Sequence, residues 1–304
     1  LVLLDTYGAP CINEGLNGRD VMTDTFKIGL VQTCASGNMT DTIARAEALG
    51  RDAVAKGADM IQYAEFFSCY DIDENGIHTG SHDQDTHPAL LTFTKLAKEL
   101  KVWITLGSIA VPAPDGRSYN RQFVIDDTGT IQAYYDKIHL FDVDLGGDDR
   151  YRESASLMPG DRAVVTDTPW GPLGLSICYD VRFPHLYRDL AKSGAMFLNC
   201  PAAFTHRTGQ AHWHILLRAR AIETGCFIFA TCQSGKHGKA HTYGHSLVIN
   251  PWGEILAEGA EAEEDIIIAK IDPSEVAKAR SRIPALKHDR PYDKITPFNV
   301  DAAE

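Results

Sequence analysis

Residues 173–200, LGLSICYDVRFPHLYRDLAKSGAMFLNC, contain the pattern that decides the fold. The run 173–177 is short and apolar, as in a buried strand. Pro184 opens a helical stretch that runs to Lys192, because its fixed φ and missing N–H suit the first helical position. Residues 196–200 turn apolar again and read as the next strand. The same alternation continues on both sides. Upstream, strands are expected at 27–32, 60–64, 102–110, 122–126 and 130–135. Helices are expected at 41–56, with Ile43, Ala46, Leu49, Ala53 and Val54 apolar, and at 88–100, with Leu90, Phe93 and Leu96 on one face. Downstream come a helix at 210–224 stopped by Gly225, a strand at 227–232, and a hairpin of 246–250 with 254–257. A strand at 266–271 and a helix at 274–282 complete the pattern. With no internal repeat and no long linker, this is a mixed α/β chain.

The chain has 304 residues, 44% hydrophobic and 23% charged, which suits one large globular domain and excludes disorder and collagen-like repeats. Its formal net charge of −12 argues against a nucleic-acid binder, which needs a cationic surplus. No apolar run approaches the ~20 residues of a membrane span, so neither nucleic acid nor membrane is an expected partner. The seven cysteines contain no CxxC pair, and their odd number favours a reducing, cytoplasmic setting. Residues 1–21 show no helical or strand period and no basic start to a signal peptide. They are expected to be an irregular extension, with residues 22–304 forming the domain.

Three polar residues fall where strands end: Glu65 after 60–64, Lys137 after 130–135 and Cys178 after 173–177. In open α/β sheets ligands bind outside the carboxyl ends of strands. A cysteine there needs a base and a cation to become a useful nucleophile, and Glu65 and Lys137 can supply them. Spacing alone leaves a buried packing cysteine and a solvated Glu/Lys pair as alternatives.

The wording around these residues narrows the choice. YAEFF (63–67), YDKIHLFD (135–142) and ICYDVRFP (177–184) occur in order, and together they resemble the nitrilase superfamily. The likeness runs from about Phe26 to Tyr292. AHWHILLRARAIETGCF (211–227), TYGHSLVINPWG (242–253) and IPALKHDRP (283–291) look like its Nit1/Nit2 branch, most like the deaminated glutathione amidases. Two positions depart from the pattern: Ala64 replaces the usual proline before the base, and His214 stands where an acidic residue is expected.

The resemblance implies a four-layer α-β-β-α sandwich that pairs into homodimers or larger homo-oligomers. It implies a catalytic set of Glu65 as base, Cys178 as nucleophile and Lys137 as oxyanion-stabilising cation, helped by the Tyr179 backbone N–H. Glu153, matched through Tyr151-Arg152-Glu153-Ser154, is implied to assist Lys137. Arg182 is implied to bind a substrate carboxylate; its alternative is a brace paired with Asp180 or Asp189. The implied reaction is hydrolysis of a small linear carboxylate-bearing amide to acid and ammonia through a thioester, without metal or organic cofactor. Omega-amidase, N-carbamoyl amino acid amidohydrolase and aliphatic amidase or nitrilase activities stay open. So do an idle binding partner on the same fold and a metal-dependent hydrolase.

Other features read as structural. His212 with His214, and His237, His241 and His245, lack the compact spacing of a zinc ligand set. His245 reads as a core hydrogen-bonding residue, and Gly235 to Lys239 as a flexible basic loop. Trp213, Ile215, Leu216, Ala219 and Ile222 read as core. Arg218 and Arg220 read as a charged helix face or subunit interface.

Overall fold

The strand Phe26–Gln32 is buried along its whole length except for Lys27. A strand with both faces apolar must be covered on both sides, and the topology does this with four layers. In a computed structural model that describes residues 24–73, 76–146, 150–261 and 264–293, two large sheets face each other. The first runs in the order Asp265–Ile271, Phe26–Gln32, Met60–Tyr63, Trp103–Thr105, Ser118–Ile125, Ile109–Pro112, with Ile131–Asp136 also paired to Ser118–Ile125. The second runs Val165–Thr166, Leu173–Gly174, Phe197–Asn199, Phe227–Ala230, Leu247–Ile249, Ile255–Glu258.

Phe26, Ile28 and Leu30 pack with Phe197, Phe229 and Leu247 in one core between the sheets. Val31, Ile61 and Ile104 point the other way, against Ile43 and Ala46 of the helix Met39–Ala55 and Leu90 and Phe93 of the helix Pro88–Leu100. Helices Pro184–Lys192 and His214–Thr224 cover the outer face of the second sheet. The implied four-layer α-β-β-α sandwich is therefore the fold.

Helices Pro88–Leu100, Pro184–Lys192 and Ser274–Arg282 have the expected bounds. The expected strand 102–110 is instead two, Trp103–Thr105 and Ile109–Pro112. Gly107 breaks it with φ +55°, and a β-carbon there would lie 2.0 Å from the Ala64 carbonyl oxygen. This close approach, which only glycine permits, sets the chain against the residue before Glu65. The strand expected at 122–126 begins earlier, at Ser118. Residues 235–239 are not a free loop: Ser234–His237 pairs with Ala240–Tyr243 as a hairpin, and His237 is buried. On the helix His214–Thr224 the buried face is Leu217, Arg220, Ala221 and Thr224, while Ile215 and Ile222 are exposed. Arg220 thus belongs to the interior, where its Nε donates to the Val181 carbonyl at 2.9 Å. The expectation for residues 1–21 lies outside the described residues.

Candidate active site

Glu65 and Lys137 reach one place just past the strands Met60–Tyr63 and Ile131–Asp136, whereas the strand expected at 173–177 is only Leu173–Gly174, so Cys178 arrives four residues beyond its end. Glu65 follows Met60–Tyr63, and its neighbours are pinned: Phe66 N–H donates to Ser108 Oγ at 3.0 Å, and Gln233 Nε2 donates to the Glu65 carbonyl at 3.0 Å. Alanine at 64 therefore leaves the strand end anchored. Lys137 follows Ile131–Asp136, with its backbone N–H bonded to the Asn120 carbonyl. Cys178 opens a 3₁₀ turn, Cys178–Arg182, with φ +47°. That left-handed conformation is strained for a residue with a β-carbon. It follows from reversing the chain between the buried Ile177 and the helix at Pro184.

Lys137 is fully buried and sits between two carboxylates. Its Nζ lies 2.9 Å from Glu65 Oε1, and 3.0 and 2.9 Å from the two oxygens of Glu153. Glu153, on the short turn Glu153–Ala155, also accepts the Phe141 N–H at 2.8 Å. Burial alone would lower the Lys137 pKa, but Glu153 and Glu65 outweigh it and hold the ammonium charged well above its ordinary range. Burial raises the Glu153 carboxyl, against the pull of Lys137.

Burial also pushes the Cys178 thiol well above its ordinary value, and Glu65 adds to the rise while Lys137 opposes it. The resting group is therefore a thiol and not a preformed thiolate. A nucleophilic attack from it must remove a proton as the bond forms, and two carboxylates, Glu65 and Glu153, line the same cleft.

The cleft has about 450 Å³ of free space, including its mouth. Glu65, Glu153, Cys178 and Tyr179 line it, with Phe66, Tyr70, Phe141 and Phe204 as aromatic walls. Lys137 lies behind the carboxylates. Arg182 is not part of the lining. It is half-buried at the margin, 5.3 Å from the Phe204 ring centroid and 5.8 Å from that of Tyr179, with Nη1 3.2 Å from His212 Nδ1. It does not brace Asp180, whose carboxylate accepts from Tyr135 Oη and Ile177 N–H and faces His139 Nδ1.

Two contacts to Glu65 had no sequence signal. Asn120 Nδ2 donates to Oε1 at 2.8 Å, and the Ala203 backbone N–H donates to Oε2 at 2.7 Å. Asn120 precedes the strand expected at 122–126 and belongs to the longer observed strand Ser118–Ile125; a backbone amide leaves no trace in sequence. Among the other histidines, His237 bonds to the Ala35 carbonyl and Thr242, and His241 stacks on His206. His245 is not a core residue: its side chain is 22% exposed and meets Glu258.

Comparison with known proteins identifies the family. Residues 27–281 match the carbon-nitrogen hydrolase family. A deaminated glutathione amidase of Synechocystis sp. is 39% identical over 266 residues, covering 85% of this chain and 96% of the relative. Omega-amidase NIT2 of Homo sapiens is 36% identical, covering 88% and 95%. Among solved structures, Saccharomyces cerevisiae Nit3, a member of branch 10 of the nitrilase superfamily, superposes with a TM-score of 0.76 at 27% identity, covering 88% of this chain and 97% of that one. With this fold and this likeness along most of its length, the chain belongs to the carbon-nitrogen hydrolase family.

Proposed function

We propose that the protein is a cysteine-dependent amidase hydrolysing a small linear amide that carries a carboxylate, of the deaminated-glutathione kind. The observation that carries this reading is the buried Lys137, held between Glu65 and Glu153 behind the cleft that Cys178 lines. Glu65 takes the Sγ proton as the sulfur attacks the amide carbonyl carbon. Lys137 and the Tyr179 backbone N–H hold the oxyanion. The C–N bond breaks, the amine takes the proton from Glu65 and leaves as ammonia, and a thioester remains. Glu65 then deprotonates water, which attacks the thioester carbon; the acid departs and the thiol is restored. Glu153 keeps Lys137 charged and in place. Arg182, at the margin and with no carboxylate ion-paired to it among the described residues, is available to the substrate's carboxylate.

The narrow aromatic cleft favours a linear substrate, and the likeness to deaminated glutathione amidases and to an omega-amidase favours one with a carboxylate. An ammonia-release screen over deaminated glutathione, alpha-ketoglutaramate, N-carbamoyl amino acids and simple aliphatic amides tests it. Highest kcat/KM on deaminated glutathione supports the reading. Preference for neutral aliphatic amides would sink the substrate assignment while leaving the chemistry.

A homodimer belongs to the same proposal. Exposed Ile215 and Ile222 lie two turns apart on one helix, and Gly253, next in sequence to the exposed Trp252, packs against Ile222. Light scattering at twice the chain mass supports it, and a monomer at micromolar concentration refutes it. The described cysteines are all free thiols, which favours the cytoplasm. No helix among the described residues is long and apolar enough to cross a membrane.

A further inference from the structure

Away from the cleft, side chains from three separate elements converge at the edge of the second sheet. His214 begins the helix His214–Thr224, His245 lies in the turn before Leu247–Ile249, and Glu258 ends the edge strand Ile255–Glu258. His214 Nε2 lies 3.0 Å and His245 Nδ1 2.7 Å from the same oxygen, Glu258 Oε1. The three atoms fall within 4.8 Å of one another. A tetrahedral zinc ion with bonds of about 2.0–2.1 Å keeps its ligand atoms about 3.3 Å apart. Two edges of the triangle already lie near that spacing, and the third needs to close by no more than about 1.5 Å. The side chains are 28%, 22% and 38% exposed, so an ion and a water can reach them.

The surroundings hold this triangle in place. Trp213, next to His214 and fully buried, donates its indole N–H to the His245 carbonyl at 2.8 Å. The His245 N–H in turn bonds to the Ala260 carbonyl, just beyond Glu258. The helix leading into His214 contains a π-helical turn, Gly209–Trp213, an irregularity often found at functional sites. His245 itself is held at φ +49°, a conformation uncommon for a residue with a β-carbon. These features are local to the triangle, and the proposed amidase chemistry uses none of the three side chains.

We propose that His214, His245 and Glu258 form a binding site for a divalent transition-metal ion, with zinc the best match. Two imidazole nitrogens and one carboxylate oxygen are a common zinc donor set, and a water completes the tetrahedron. The ion ties the start of a helix, a turn and a sheet edge together, so it stabilises the fold and takes no part in hydrolysis. The ligands lie 31 and 13 positions apart in the chain, which is why histidine spacing does not reveal them.

The test uses the full chain stripped with EDTA, its accessible thiols blocked with iodoacetamide so that cysteines cannot compete for metal. Zinc is added and followed by calorimetry and by the thermal unfolding midpoint, and cobalt by its visible absorption. One zinc per chain, a midpoint that rises with zinc and a tetrahedral cobalt spectrum are expected. His214→Gln retains a donor for Glu258 but removes the nitrogen ligand, and Glu258→Gln removes the anionic one; each should weaken zinc binding at least tenfold. Zinc binding unchanged in both variants, or no binding and no midpoint shift at millimolar zinc, overturns the proposal and leaves a His–Glu–His hydrogen-bonded bridge. Should either variant fail to fold, the other still decides.

Discussion

Asn120 Nδ2 donates to Glu65 Oε1 at 2.8 Å, the same oxygen that receives Lys137 Nζ at 2.9 Å. Asn120 is buried in the strand Ser118–Ile125, so a paired backbone fixes its donor and thereby the orientation of the carboxylate. Glu65 is aimed as well as ion-paired.

Asn120→Ala should therefore lower kcat by roughly 10- to 100-fold with KM little changed, the range expected for losing a hydrogen bond to a charged group. Asn120→Asp should be worse, because it sets a like charge beside Glu65. Steady-state kinetics with a parallel melting curve check this; a kcat loss under threefold would remove Asn120 from the positioning role.

Cys178→Ala should abolish turnover and leave the melting curve within a few degrees of wild type, since it removes the nucleophile and little volume. Cys178→Ser should be nearly as inactive, an alkoxide being far harder to form than a thiolate. Because burial holds the thiol protonated, iodoacetamide labelling at this position should keep accelerating as pH rises past neutrality, with no plateau near pH 7. A plateau there would mean a preformed thiolate and overturn the effect of burial.

Lys137→Ala should inactivate the enzyme and destabilise it together. It leaves Glu65 and Glu153 buried without their cation, and breaking a buried pair in this way costs about 3–5 kcal/mol. Glu65→Gln keeps the shape and should lose roughly 10²–10⁴-fold in rate, because both thioester formation and its hydrolysis need the base. Urea unfolding separates the two: a Lys137→Ala protein as stable as wild type would mean the carboxylates are not held as charges.

Arg182→Lys should lower kcat/KM for carboxylate-bearing amides by roughly one to three orders of magnitude while neutral amides lose little. The guanidinium lies at the margin of the cleft and bonds to His212, so a role in bracing the turn would instead lower all substrates and the melting temperature together. Matched kinetics on one charged and one neutral amide distinguish the outcomes.

Stability should fall as pH drops from about 6.5 to 4, in part through His87. Burial lowers its pKa to about 4, and His82 adds to the effect. Its Nδ1 accepts the Ala89 N–H and caps the helix Pro88–Leu100. The unfolded chain takes up a proton here near pH 6.5 and the folded chain does not, so acid favours unfolding by up to about 3 kcal/mol from this group. His87→Asn keeps a capping acceptor without the titration and should flatten the urea midpoint between pH 6.5 and 4.5. An unchanged slope would discount His87.

The amino-acid sequence alone determined the alternating architecture and the strand ends before Glu65 and Lys137, while the strand before Cys178 stops earlier than its apolar run, at Gly174. These are local properties. A proline at the first helical turn, an apolar face at helical spacing, or a run with both faces apolar acts on its own few residues, so helices such as Pro184–Lys192 could be read to the residue. The motif wording added Glu153, which the structure places against Lys137. What covers each face depends on chain segments far away. Ile215 and Ile222 carry the right period for a core face, yet they are exposed because the sheet packs against Leu217 and Ala221 instead. The break at Gly107 follows from the Ala64 carbonyl, 43 positions earlier. Asn120 reaches Glu65 across 55 positions, and Ala203 reaches it across 138. His214 meets Glu258 across 44. Such contacts arise from packing two sheets face to face and fixing their loops, and they leave no periodicity in the chain. The residues that could do the chemistry were therefore legible in the sequence, whereas their aim, their charge states and their enclosure came from tertiary packing.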